Sequence, residues 1–385
     1  MRRMALVLLA TVVCVAPAAA HHRVTPPIVG FSSAGDQHLP RVAAFGNSVA
    51  LSVDGQVSRY EWSTHARTYL PKPVTTIGDN QNATIAKNGF LVWDSDANLA
   101  NSGDPPRQLF AQKPGFQLTQ VLHDASGTAV NGALDGKDKK LAFESSGGLT
   151  NVATLGVQHV YVRDALGALT QVSTGTGTSR NATLAKNSAL VVFESTSDPD
   201  TGNDTGIEQI WIANLQTHAA APITDGAGPS RNAAIESAGR VLVFESTADL
   251  ANGGADTNVP QVFLYDTVTK TFAQITDDPG GCTEPTVIKI RLLDWRIAYA
   301  CHGIGGFYDL RADQRYELPA PGGDTSRVVA ELSVNFLLLS TTADLLHGGT
   351  TAGHQLYLWN LFKIPGTPVP GVATWFPFRG IPPHS

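Results

Sequence analysis

Cysteine, charge and recognisable catalytic signatures are all scarce in this chain. Three cysteines occur in 385 residues, and charged side chains make up only 16% of the total. The formal net charge is −6, and no Lys/Arg cluster is visible along the sequence. Mild acidity of this kind argues against a nucleic-acid partner and against an anionic membrane surface. No G-x-S-x-G elbow is present, which excludes the nucleophile turn of an α/β-hydrolase, and no H-E-x-x-H supplies a zinc-protease helix. His123, His159, His218, His302, His347 and His354 are scattered through the chain, so no histidine-based catalytic set is legible.

What is there begins with Arg2 and Arg3, the apolar run Ala5–Val15, and then Ala18-Ala19-Ala20. Residues 1–20 read as a secretory signal peptide cleaved after Ala20. The apolar run is too short to span a bilayer. Cys14 follows Val13 and lacks the small residue that a lipid-attachment signal places before its cysteine. The mature chain is therefore expected to be secreted or periplasmic, with no membrane insertion, and losing both arginines takes its formal charge from −6 to −8.

Signal removal leaves Cys282 and Cys301. In an antiparallel hairpin turning near Leu293 these two positions face each other, and an oxidising compartment would let them pair; the alternative is two buried thiols. A zinc site is not expected, since zinc takes four ligands and His302 is the only close candidate.

The mature chain is repetitive. Arg240–Ser246 (RVLVFES) is a compact apolar run whose β-branched and aromatic content favours a strand. A Gly/Asn/Asp loop over 251–258, the strand Gln261–Asp266, a polar turn and the strand Thr271–Thr276 follow. With Arg231–Glu236 in front, the unit has four short antiparallel strands. An acidic residue recurs at Asp94, Glu144, Glu194 and Glu245, about fifty residues apart, and an asparagine keeps the same step at Asn82, Asn131, Asn181 and Asn232. A period of this length with four short strands per unit predicts an all-β protein, a β-propeller of about seven four-stranded blades with six as the alternative. The expected units lie near 40–73, 80–122, 128–173, 179–224, 230–276, 282–319 and 325–363, a single domain over 40–363. Residues 21–39, or the Pro-rich tail 364–385 with its six prolines, would supply a strand that closes the ring.

The pattern S-x-x-G-R-x-L-V-F-E-S-x-A-D-L, the loop with Asp256-Thr257-Asn258, and then Q-V-F-L-Y-D resembles the TolB-like, WD40-like propeller repeat of exported bacterial proteins. The match is close over 240–276, good over 181–224 and 131–173, and covers most of 80–361. The resemblance implies a β-propeller and a preference for binding roles. The separate N-terminal domain of TolB has no room in front of the first unit, so membership of the Tol–Pal machinery is not implied.

Three sets of polar residues are candidate sites. The loops carrying Asp198, Asp200 and Asp204, and Asp249 with Asp256, hold enough oxygen for calcium, the one cofactor the sequence suggests; tight turns use the same residue types. The loop Asp94–Asn98 with Asp104 is similarly acidic. Asp94, Glu144, Glu194 and Glu245 would form a ring of carboxylates. Their expected role is structural, accepting hydrogen bonds from neighbouring backbone or from Arg180 and Arg231, because an active site needs one asymmetric set of groups. Trp93, Trp211, Trp359, Trp62 and Trp295 sit where blade cores need bulk, while Trp375 in the tail is expected to be partly exposed. The sequons at Asn82, Asn181 and Asn203 carry little weight, since two of them are the repeat's own Asn-Ala-Thr.

Taken together, these readings predict an exported, monomeric, disulfide-stapled propeller without chemistry of its own, bound to another envelope or extracellular protein. The alternatives are a carbohydrate-active lyase or glycosidase, or a lectin-like, calcium-dependent module.

Overall fold

The computed structural model describes residues 48–360 apart from short stretches, the longest at 102–106, 318–325 and 342–354. No helix occurs among the described residues. Twenty-six strands form seven antiparallel sheets, each a simple meander in chain order. The first holds β1 (Ser48–Val53), β2 (Gln56–Ser63) and β3 (Thr68–Thr75). The second holds β4 (Asn80–Ile85), β5 (Leu91–Ser95), β6 (Gln108–Gln112) and β7 (Thr119–Gln120). The third holds β8 (Ala129–Leu134), β9 (Lys140–Ser145), β10 (His159–Asp164) and β11 (Leu169–Gln171). The fourth is β12 (Ser179–Leu184), β13 (Leu190–Ser197), β14 (Asp204–Asn214) and β15 (Ala219–Pro222). The fifth is β16 (Ser230–Ile235), β17 (Val241–Ala248), β18 (Asp256–Asp266) and β19 (Thr271–Gln274). The sixth is β20 (Cys282–Arg291), β21 (Asp294–Cys301), β22 (Ile304–Asp309) and β23 (Gln314–Glu317). The seventh holds β24 (Ser326–Ser333), β25 (Phe336–Thr341) and β26 (Gln355–Asn360).

First strands of successive sheets are neighbours from β1 to β24, which is the radial stacking of a β-propeller. Seven sheets match the seven-unit reading, although the first and last have three strands among the described residues. The segments expected to close the ring, 21–39 and 364–385, lie outside the described residues.

Strand alternation explains the packing. In the second to sixth sheets the second strand is largely buried on both faces, so its side chains serve two neighbouring sheets in turn. On one face an aromatic pair crosses to the third strand: Trp93 with Phe110, Phe143 with Tyr161, Phe193 with Trp211 and Phe244 with Phe263. Ring centroids in these pairs are 5.7–6.3 Å apart. The opposite face offers aliphatic residues to the following sheet. Val92, Leu109 and Ala111 thus pack on Phe143 and Tyr161, while Val192 and Ile210 pack on Phe244 and Phe263. Each such aromatic side chain contributes about 1.5–3 kcal/mol when fully buried. Trp295 is buried between the fifth and sixth sheets, and Trp211, partly buried, packs against the core between the third and fourth. Trp62 and Trp359 lie in β2 and β26, and Trp375 lies outside the described residues.

The loop expected at 251–258 is shorter in the structure, because β18 already begins at Asp256. Beyond a bulge, Asp256 pairs with Ala248, and the Thr257 hydroxyl donates to the carbonyl of Thr247 at 2.7 Å, extending the hairpin. Cys282 and Cys301 are directly opposed in β20 and β21 and joined by a disulfide, with Cα atoms 4.2 Å apart. In the fourth and fifth sheets the same register position holds Ser179 with Ser195 and Ser230 with Ser246, each a hydroxyl–hydroxyl hydrogen bond of 2.9 Å.

Candidate functional site

Antiparallel order brings the start of every first strand, the end of every second and the start of every third to one end of the propeller. The repeated asparagine sits there in a bulge. Asn82, Asn131, Asn181 and Asn232 have φ between 51° and 55°, a left-handed conformation that asparagine tolerates better than most residues. The bulge turns both the backbone N–H and the side-chain amide toward carboxylates. Asn82, Asn131, Asn181 and Asn232 donate from Nδ2 to Asp94, Glu144, Glu194 and Glu245 of their own sheets at 2.8–2.9 Å.

The same carboxylates reach across to the following sheet. Asp94 accepts the backbone N–H of Asn131 at 3.1 Å, Glu144 that of Asn181 at 2.7 Å, and Glu194 that of Asn232 at 2.7 Å. Glu245 accepts the N–H of Glu284, also 2.7 Å, and Glu284 occupies the asparagine position with φ 56°. Hydrogen bonds to a charged acceptor contribute about 1.5–3 kcal/mol each. Asp94, Glu144 and Glu194 are buried. Burial pushes the Glu194 and Glu245 carboxyls above the ordinary carboxylate range, an effect only partly offset by the hydrogen bonds they accept.

Around this repeated core the third-strand neighbours differ from sheet to sheet. Arg107 donates to Asp94 at 2.6 Å and to Asp79 at 2.5 Å. Gln158 donates to Glu144. In the fourth sheet the equivalent residue is Glu208, and it pairs with both Arg180 and Arg231. Arg180 also reaches Glu194, at 3.3 Å. Arg231 differs from expectation, since its partner is Glu208 and not the repeated Glu245. The reason is local: Pro260 stands in the fifth sheet where Glu208 stands in the fourth, and the Glu208 carboxylate draws in both guanidiniums. The arginine side chains are 43% and 49% exposed, with exposed Ile207 beside Glu208.

The acidic loops lie at this same end. Asp198 accepts hydrogen bonds from the N–H of Asp200 and from both the N–H and hydroxyl of Thr201, at 2.7–3.0 Å. Asp204 accepts from Gly206 N–H, Asp249 from Asn252, and Asp256 from Asn258 N–H. The Thr201 donors hold the Asp198 carboxyl below the ordinary carboxylate range, and the side chains of Thr196 and Thr247, ahead of the Gly206 and Asn258 N–H groups, do the same for Asp204 and Asp256. Asp96 is likewise engaged, accepting from the N–H of Asp79 at 2.7 Å, while Asp104 lies outside the described residues. Among the described residues, one trio of metal-ligating atoms converges, Asp278 with Cys282 and Cys301, and both sulfurs there belong to the disulfide.

The histidines are placed apart. His159 is buried at the start of β10, His218 lies in the β14–β15 turn, and His302 follows β21 with Nε2 3.0 Å from Asp278. His347 and His354 lie outside the described residues. Arg107, Gln158 and Glu208 escaped the sequence reading because no two of them are the same residue type; only their shared position, one residue ahead of Gln108, His159 and Gln209, marks them.

No family model and no curated protein matches the chain. Among solved structures, an oligogalacturonate lyase from Vibrio parahaemolyticus superposes with a TM-score of 0.57 at 10% identity, covering 88% of this chain and 92% of the lyase. The β-propeller domain of the trilobed protease from Pyrococcus furiosus gives 0.53 at 7% identity, covering 84% of this chain and 95% of that domain. TolB from Acinetobacter baumannii gives 0.42 at 14% identity, covering 81% and 78%. At these identities the likeness to the lyase and to the protease domain shows the fold alone, a β-propeller.

Proposed function

We propose that the protein is an exported, non-catalytic β-propeller that binds an envelope or extracellular protein through the end carrying Arg180, Glu208 and Arg231. The observation that carries this reading is the engagement of the repeated carboxylates: Asp94, Glu144, Glu194 and Glu245 all accept hydrogen bonds from two consecutive sheets. Groups held this way build the ring, and acid–base work would require them to let go of it. The Arg–Glu–Arg cluster is different, because it occurs once among the described residues and its two arginines are half-exposed, while Glu208 is buried. Arginine in such a setting is a frequent energetic centre of protein interfaces. Charge placed beside an exposed aliphatic residue such as Ile207 favours orientation and partner choice. The Cys282–Cys301 disulfide supports an oxidising location, and export by residues 1–20 with one propeller over 40–363 belongs to the same proposal.

The test is capture from envelope extract with the immobilised mature chain, comparing wild type with an Arg180→Glu/Arg231→Glu variant. One stoichiometric protein held by the wild type and lost by the variant supports the reading. A protein retained equally by both contradicts it.

A further inference from the structure

The opposite end of the propeller carries a feature that the protein-binding reading does not use. Between the second and third sheets runs an open cavity of about 220 Å³. Lys113 lines one wall, its Nζ 5.4 Å from the centre of the Phe90 ring, and Lys139, Lys140 and Arg163 line the other. No carboxylate among the described residues forms an ion pair with any of the four. Asp164, the acid in the lining, accepts the N–H groups of Leu166 and Ala168 through Oδ1. The comparison with later sheets is direct. Asp266 and Asp309 occupy the corresponding position, and each holds an arginine, Arg240 just ahead of β17 and Arg296 in β21. In the third sheet that pairing is missing, and the cations face the groove instead.

We infer that this groove is a binding site for an acidic glycan segment, its carboxylate or sulfate groups held between Lys113 on one wall and Lys139, Lys140 and Arg163 on the other. Four unpaired cations in a chain of net charge −6 are a local reversal of the prevailing field. They come from two walls of an open groove, which suits charges repeated along a chain better than one point anion. The cavity is smaller than a drug-sized pocket, so it would hold about one sugar unit while neighbouring units run along the surface.

The experiment titrates the mature full chain with a short polyuronate oligomer, a sulfated oligosaccharide of equal length, a neutral oligosaccharide, inorganic phosphate and a single-stranded DNA oligomer. Lys113→Glu and Lys139→Glu are compared with Lys270→Glu, an exposed lysine in the β18–β19 turn. The expected result is binding of the polyuronate or the sulfated oligomer, the stronger of the two identifying the acidic group. Each groove variant weakens it about tenfold or more, and Lys270→Glu leaves it unchanged. Neutral oligosaccharide binding as tightly as the charged oligomers would overturn the inference, as would equal loss in Lys270→Glu. Displacement by phosphate at matching concentration would reassign the groove to a point anion, and tighter binding of DNA would reassign it to nucleic acid; either result overturns the glycan assignment.

Discussion

The carboxylate of Glu194 accepts the backbone N–H of Asn232, in the next sheet, at 2.7 Å, while Asn181 in its own sheet donates to it at 2.9 Å. One side chain thus ties two sheets together, and the same arrangement recurs at Asp94, Glu144 and Glu245. Glu194→Ala leaves both donors without their acceptor, while Arg180 keeps Glu208. It is expected to lower stability by about 3 kcal/mol, given a cost of about 1–3 kcal/mol per buried orphan donor. Urea unfolding of the variant and wild type measures the difference, and a change below about 0.5 kcal/mol, the range of ordinary surface substitutions, would show that the ring is not structural.

Asn232 contributes both its side chain and its left-handed backbone. Asn232→Gly keeps the conformation and the N–H to Glu194 but loses the amide donor to Glu245. Asn232→Ala loses both. The alanine variant is expected to be less stable than the glycine variant by about 1 kcal/mol, the order of cost of a non-glycine residue in that region. Thermal melts of the pair check the order, and the reverse order contradicts the bulge account.

Cys282 and Cys301 stand where neighbouring sheets use a serine pair. A Cys282→Ser/Cys301→Ser variant is therefore expected to fold and to recover a hydroxyl hydrogen bond. It should nonetheless lose about 2–4 kcal/mol from the missing cross-link. The reduced wild type should show the same loss in urea.

His159 replaces a glutamine. Gln108, Gln209 and Gln261 occupy the same register and donate across to loop carbonyls at 2.6–2.9 Å. His159 instead contacts Ser173 at 3.3 Å through Nδ1, and its buried Nε2 finds no partner. Burial lowers its pKa, so the folded state binds the proton less readily than the unfolded chain. Stability is then expected to fall as pH drops through the ordinary histidine range toward the lowered folded value, and to rise again with pH. His159→Gln should remove that slope and add about 1 kcal/mol at neutral pH. Unfolding midpoints from pH 5 to 8 test the sign, and an unchanged slope in the variant would locate the acid sensitivity elsewhere.

How much of this was legible follows from what repeats. The asparagine and the acidic residue share a fixed step, so the blades, and the hydrogen bonds that the carboxylates accept from neighbouring backbone, could be read from spacing and residue type. The Cys282–Cys301 pairing followed from strand register. The Arg180–Glu208–Arg231 cluster was not legible, because Glu208 occurs once and meets Arg231 only when two sheets are stacked. The basic groove was hidden for a similar reason: Lys113 and Arg163 are fifty residues apart and join Lys139 and Lys140 only across an inter-sheet boundary. Single-occurrence residues carry no period, and the periodic signal described the frame around them.

Glu208 separates stability from function. Because Arg180 and Arg231 are half-exposed, Glu208→Ala is expected to change stability by no more than about 1 kcal/mol. It should still abolish retention of the captured partner, and retention at wild-type level would remove the cluster from the interface.

The most direct measurement places a photo-cross-linking residue at Ile207, beside that cluster, and a second at Val268, an exposed position at the opposite end. After irradiation in envelope extract, one protein adduct of defined mass is expected from position 207 and none from 268. Absence of a protein adduct at 207, together with shortening of acidic oligosaccharide by the purified chain, would contradict it and make the propeller an enzyme.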